Sequence, residues 1–141
     1  MNGDGLLDVV AANVGHETQL FLGIGNGTFR NGLDISDDVF DTFALAVGDV
    51  NNDGRLDVVT GNYGSKNRLY LNSGGVQPFA GVSGSDISDD IFPTLSVKLG
   101  DVNGDGFLDC VTGNHNEVNR VYFNNGTASP FNGVTGENIS D

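Results

Sequence analysis

The chain has 141 residues, with 6 Lys plus Arg against 19 Asp plus Glu and a formal charge of −13. That length supports one modest domain, and the acidic balance argues against a nucleic-acid partner, because phosphate binding needs basic patches. Three of the acids are Glu (Glu17, Glu117, Glu137) and the other 16 are Asp, the residue used where a short carboxylate must reach a turn amide or a metal; together with 22 Gly and 3 Pro this predicts short strands joined by tight turns.

In chain order, Met1 to Asn13 (MNGDGLLDVVAAN) is an Asp/Asn/Gly turn running into a β-branched strand, Leu7 to Ala11. Thr18 to Gly23 (TQLFLG) follows, then a polar turn, Asp34 to Asp38 (DISDD). Phe43, Leu45 and Val47 alternate with Ala44, Ala46 and Gly48, which predicts a strand. Gly48 to Asn62 (GDVNNDGRLDVVTGN) gives a second acidic turn and a strand, Leu56 to Thr60. Arg68 to Leu71 gives the next strand, and a weaker fourth is predicted at Phe79 to Val82. The order then recurs: DISDD at Asp86 to Asp90, alternation at Leu95, Val97 and Leu99, and GDVNGDGFLDCVTGN at Gly100 to Asn114. Strands follow at Arg120 to Phe123 and Phe131 to Val134, and NISD closes the chain at Asn138 to Asp141. No window has helical periodicity or the length of a membrane span. No charged segment followed by an apolar stretch begins the chain, so no signal peptide is predicted in this segment.

The second and third copies are offset by 52 residues and the first and second by 49, with the three-residue shortfall between Gly23 and Asp34. The chain therefore divides into repeats of approximately 1–41, 42–93 and 94–141 within a single repeat region. Four short strands in about 50 residues match one propeller blade. The expected fold class is all-β: four-stranded antiparallel blades forming an incomplete β-propeller of about three. Met1 stands where Val50 and Val102 stand, and no residue matches Asp49 and Asp101, so the chain is expected to be a fragment of a longer array. Open blade faces at both ends are expected to drive self-association, with a dimer as the specific form.

The acidic turns share the pattern D-x-N-x-D-G-x-x-D: Asp49, Asn51, Asp53, Gly54 and Asp57, then Asp101, Asn103, Asp105, Gly106 and Asp109; the first copy keeps Asn2, Asp4, Gly5 and Asp8. Alternate oxygen-bearing residues in a tight loop suit calcium, which takes several hard oxygen ligands at about 2.3–2.6 Å. The seventh residue (Arg55, Phe107 or Leu6) would offer its backbone carbonyl, so its side chain is free to vary. An EF-hand needs a carboxylate at the twelfth position and flanking helices. Here Thr60, Thr112 and Ala11 occupy that position, between predicted strands. Asn at the third position lowers the charge and predicts an affinity on the order of 10⁻⁴–10⁻³ M.

At these loops, at the L-D-V-V-T-G-N strand and at the N-R-L-Y-L-N strand, the chain resembles the FG-GAP/VCBS repeat family, the type that forms integrin α-subunit propellers. The resemblance implies a propeller, usually of seven blades, with Ca2+ as its cofactor in the loop between the first two strands of a blade. It also implies that Asp49, Asn51, Asp53 and Asp57, and Asp101, Asn103, Asp105 and Asp109, are the ligands. The literal Phe-Gly and Gly-Ala-Pro blocks are absent, and no integrin ligand is carried over.

Outside the loops, the Asp residues of DISDD are expected in local turns, and Arg68 and Arg120, with Gln19 as their counterpart, are expected to bond a neighbouring carboxylate or carbonyl. His16 and His115 are expected at the surface, in the turn after the second strand. Cys110 replaces Val9 and Val58 and is expected in the core; as the lone cysteine it forms no intrachain disulfide. Asn26, Asn125 and Asn138 head triplets of the glycosylation type. No catalytic constellation is evident, so the chain is expected to be a non-enzymatic, calcium-binding module for ligand binding or adhesion. It is expected outside the cell, at the cell surface or in the periplasm, with a protein or carbohydrate partner. The alternative is the non-catalytic propeller portion of a secreted enzyme such as a polysaccharide lyase or hydrolase.

Overall fold

Period-two patterning punctuated by Gly and Asp builds strands and turns throughout. The computed structural model describes residues 1–139 and, among them, contains β-strands and no helix, hence none long and apolar enough to cross a membrane. The middle repeat is an antiparallel ladder in the order β5 (Phe40–Gly48), β6 (Asp57–Ser65), β7 (Arg68–Tyr70), β8 (Ser85–Asp86). The third repeats that order with β9 (Phe92–Gly100), β10 (Asp109–Asn114), β11 (Arg120–Tyr122) and β12 (Glu137–Asn138). The first has β1 (Val9–Ala11), β3 (Gln19–Phe21) and β4 (Leu33–Asp34), with β2 (Val14–His16) continuing the line of β1. Adjacent repeats are sewn together because the second strand of each outruns its own ladder. Tyr63 and Ser65 of β6 pair with Pro93 and Phe92 of β9, and Val14 and His16 of β2 pair with Asp41 and Phe40 of β5. The sheets do not close on themselves.

Each apolar core straddles two repeats. Leu20 and Ile35 pack with Val58, Tyr70 and Phe79; one repeat on, Leu69 and Ile87 pack with Cys110, Tyr122 and Phe131. Cys110 is fully buried, and burial, aided by the charge of Asp109, pushes its thiol up to about 12, so it is an inert core residue as its sequence position implied.

On β5, Phe43 and Val47 are exposed, while Ala44 and Ala46 pack against the core. The reason is β9, which lies across β5 and needs small residues beneath it; a Cβ on Gly48 would sit 2.8 Å from Leu108 and 3.0 Å from Leu99. The fourth strand is not at Phe79–Val82 or Phe131–Val134. Those segments are turns closed by Val82 N–H to Phe79 C=O (3.0 Å) and Val134 N–H to Phe131 C=O (3.1 Å), and each drops one Phe into the core. The pairing edge falls instead on the start of DISDD, at β8 and β12; Ser140 and Asp141, the end of the third copy of that block, lie outside the described residues.

A side chain at Gly84 or Gly136 would crowd the Tyr and Arg of its own repeat and the last Asp of the preceding DISDD block. A Cβ at Gly84 would meet Tyr70 at 2.5 Å, Asp38 at 2.8 Å and Arg68 at 3.0 Å. Gly84→Ala should therefore destabilise the chain by about 1–3 kcal/mol through overpacking, read from urea midpoints. A change below about 0.3 kcal/mol would show that these side chains yield freely.

Candidate functional site

The acidic turns connect β5 to β6 and β9 to β10, and open onto β1 in the first repeat. Each is shaped by its own Asp and Asn side chains. In the second repeat Asp49 accepts the N–H of Asp53 (3.0 Å) and of Gly54 (2.8 Å), Asn51 accepts Asp53 N–H (3.2 Å), and Asp53 accepts Arg55 N–H (2.9 Å). The third repeats this: Asp101 to Asp105 (3.1 Å) and Gly106 (3.0 Å), Asn103 to Asp105 (2.9 Å), and Asp105 to Phe107 (2.9 Å). The first keeps the rest of the pattern, Asn2 to Asp4 (3.3 Å) and Asp4 to Leu6 (2.9 Å), without a leading Asp. At the sixth position Gly5, Gly54 and Gly106 have φ of 79°, 84° and 89°, a left-handed bend that a side chain would strain.

The last Asp of each turn works differently. Asp57 and Asp109 are fully buried, and each carboxylate bridges two main-chain amides. Asp57 takes Val50 (3.1 Å) and Asn72 (2.8 Å); Asp109 takes Val102 (2.9 Å) and Asn124 (2.8 Å). Asp8 does the same with the Met1 nitrogen (2.6 Å) and Gly23 N–H (2.9 Å). These residues staple the turn to the third strand of the repeat. Burial pushes the Asp57 carboxyl up to about 6, and the charges of Asp53 and Asp49 add to the rise against the opposing amides of Asn72 and Val50.

A folded-state value above the unfolded one means that the folded chain holds this proton more tightly. The stabilisation from Asp57 is then complete below about pH 4 and is lost as pH rises through about 6. In chelator, the melting temperature of the native chain should fall from pH 4 to 7 relative to Asp57→Asn. Parallel profiles would remove Asp57 as the cause.

Two further sets of side chains tie neighbouring turns and repeats together. Asn124 donates from its side chain to Val50 C=O (2.7 Å) of the preceding repeat and to Leu108 C=O (3.0 Å) of its own; Asn72 does so to Met1 C=O and Leu56 C=O (both 3.0 Å). The sequence carried a signal for them, the final Asn of N-R-x-Y-x-N at an otherwise apolar strand end, and they were not among the predicted site residues. Asp38 reaches forward to Arg68 (3.3 Å) and the Tyr70 hydroxyl (3.0 Å), and Asp90 to Arg120 (3.3 Å) and the Tyr122 hydroxyl (3.0 Å). Arg68 also pairs with Asp86, and Arg120 bonds Asn138. The two arginines thus bond neighbouring carboxylates as expected, while DISDD supplies a lock between repeats as well as a turn.

A family model described as FG-GAP-like repeat matches the chain twice, over residues 1–60 and 49–112. The chain belongs to the FG-GAP-like repeat family. Among curated proteins, none matches it. The FG-GAP-like matches overlap at the second acidic turn, and together they include all three turns. Within this framework the structure brings Asp49, Asn51, Asp53 and Asp57 into one turn, Asp101, Asn103, Asp105 and Asp109 into another, and Asn2, Asp4 and Asp8 into the third. The side chains stand on the turns' own amides, and among the described residues no three His, Cys, Asp or Glu side chains converge on one point as they stand. The seventh residues diverge. Arg55 is not idle: its guanidinium holds Asp53 (2.6 Å) and Asn72 C=O (2.8 Å), whereas Phe107 and Leu6 bring no charge. His16 and His115 are exposed, His16 within β2 rather than in a turn. Asn26 and Asn125 fold onto their own Thr28 and Thr127 amides at 3.1 Å and 3.0 Å as turn residues.

Proposed function

We propose that this FG-GAP-like chain is a set of β-propeller blades stabilised by calcium in its acidic turns, serving as an extracellular binding or adhesion module for a protein or carbohydrate ligand. The observation that carries the metal reading is the third turn. Asp101, Asp105 and Asp109 lie within nine residues, one of them fully buried, and no basic side chain pairs with any of them among the described residues. A divalent cation would relieve that like-charge crowding. The donor set fits calcium: the side chains are oxygen-only, and a carboxylate oxygen that accepts one amide keeps a second lone pair. Asp101, Asn103, Asp105, Asp109 and the Phe107 carbonyl would hold the ion in this turn, and Asp49, Asn51, Asp53, Asp57 and the Arg55 carbonyl in the preceding one. Bound there, calcium supplies rigidity and charge balance to the surface that presents the ligand.

Calorimetric titration of the chain after chelation tests this. Two sites are expected, with the weaker at Asp49–Asp57, because the Arg55 guanidinium already pairs with Asp53. The first turn, without a leading Asp, should add little. Arg55→Phe should bring the weaker site towards the stronger. No heat and no thermal shift at millimolar calcium would remove the metal from the reading.

A further inference from the structure

Neighbouring repeats leave a groove between the outer strands of one copy and the turn after the third strand of the next, and it occurs at both joins. Between the first and second repeats, Leu20, Leu33, Asp34, Phe79 and Ala80 line a groove of about 220 Å³. Between the second and third, the matching residues Leu69, Ser85, Asp86, Phe131 and Asn132 line one of about 530 Å³. The Leu, Asp and Phe are common to both. Ser85 stands where Leu33 stands and Asn132 where Ala80 stands, so the second groove is polar where the first is apolar. The two repeats that form it each have four strands, β5 to β8 and β9 to β12.

Both walls of the polar groove are fixed from behind. On one side Arg68 donates to the Gly84 carbonyl (2.5 Å) and pairs with Asp86, while Lys66 holds the other Asp86 oxygen (3.0 Å). On the other side the Asn125 side chain donates to Ser129 C=O (3.0 Å) and Asn132 C=O (3.2 Å) and so clamps the turn. Ser73, at the matching position of the second repeat, reaches Pro78 C=O instead (2.9 Å). The side chains of Ser85, Ser129 and Asn132 are exposed, and among the described residues none of them makes a hydrogen bond. Their hydroxyls and amide are open to a ligand, on walls that need no ordering when it arrives.

The lining selects the chemistry of that ligand. Among the described residues that line the groove only Asp86 is charged, and Lys66 and Arg68 neutralise it, which disfavours a charged guest. Each Asp86 oxygen keeps a lone pair for a hydroxyl. An added peptide strand would find β8 two residues long, too short for a ladder. Hydroxyl, amide and carboxylate groups set beside Leu69 and Phe131 match a small molecule with hydroxyls on its edge and apolar C–H faces. We infer that the groove between the second and third repeats binds a neutral saccharide of one or two residues. This site rests on the binding role proposed above, narrows its ligand to carbohydrate and needs no calcium.

Saturation-transfer NMR on the whole chain in chelator tests it, with methyl glucoside, methyl galactoside, methyl mannoside and cellobiose as probes. Transfer to at least one of them is expected, saturating in the millimolar range. A chain carrying Ser85→Leu and Asn132→Ala, which copies the first groove at two exposed positions, should bind that sugar at least tenfold more weakly and keep its melting temperature. Asn132→Ala alone, at a turn position that Ala80 fills in the second repeat, should give part of that loss. No transfer to any of the four at tens of millimolar, or equal binding by the double variant, would overturn the saccharide site. A failed sugar beside a positive calcium titration would leave the module to a protein partner. Sugar binding without any calcium heat would keep the groove and remove the metal.

Discussion

Replacing Asp105 by Ala should lower the melting temperature by about 8 °C in 10 mM calcium and leave it nearly unchanged in chelator. An ion that binds only the folded chain stabilises it by mass action, about 2.7 kcal/mol at a hundredfold excess over Kd, which applies for a Kd on the order of 10⁻⁴ M. At this chain length each kcal/mol moves the midpoint by roughly 3 °C. Without calcium, the substitution removes an exposed 2.9 Å bond to the Phe107 amide, which water replaces at little cost. Paired melts in calcium and chelator decide the matter. An equal drop in both would assign Asp105 to turn formation alone.

Asp109→Ala should destabilise the chain by about 2–5 kcal/mol even in chelator, with the loss of the calcium contribution added when the ion is present. The side chain is fully buried, and its removal strands the amides of Val102 and Asn124, at about 1–3 kcal/mol for each group left without a partner. Asp109→Asn should recover part of the loss, because one amide oxygen can still accept one of the two bonds. Urea midpoints of the three chains in chelator give the comparison. A loss for Asp109→Ala confined to calcium would mean that the carboxylate serves the metal and not the fold.

These two aspartates sit four residues apart in one motif, and the sequence treats them alike. What separates them is burial, which depends on where β11 comes to lie and is written far from either. The turns themselves were legible because they are local: Asp, Asn and Gly at fixed offsets dictate amide bonds within five residues. The strands were legible where alternation was long. The inward face of β5 was not, because two faces of alternating Ala and Leu are both apolar, and only the approach of β9 selects the smaller one. The displaced fourth strand failed for a related reason. Phe79 and Phe131 looked like strand residues, but each is a single anchor dropped from a turn, while the two-residue strands at Ser85–Asp86 and Glu137–Asn138 are too short to show any period. Asn72 and Asn124 were hidden by their partners, Met1 and Val50, which lie more than 70 residues away in sequence.

Because every core is composed half of one repeat and half of the next, the segment that evolution copies and the body that folds are out of phase. Inserting or deleting one full copy leaves every interface type intact, since each copy carries the trailing half of one and the leading half of another. Cutting between cores, by contrast, always cuts through a repeat. Such an array can change length by whole copies without needing a new type of contact. The Asp38–Arg68–Tyr70 lock, repeated as Asp90–Arg120–Tyr122, gives both joins the same direction, the carboxylate of one copy reaching the arginine and tyrosine of the next. Gln19 and Phe21, which stand where Arg68 and Tyr70 would be, give the first repeat no such receiving end.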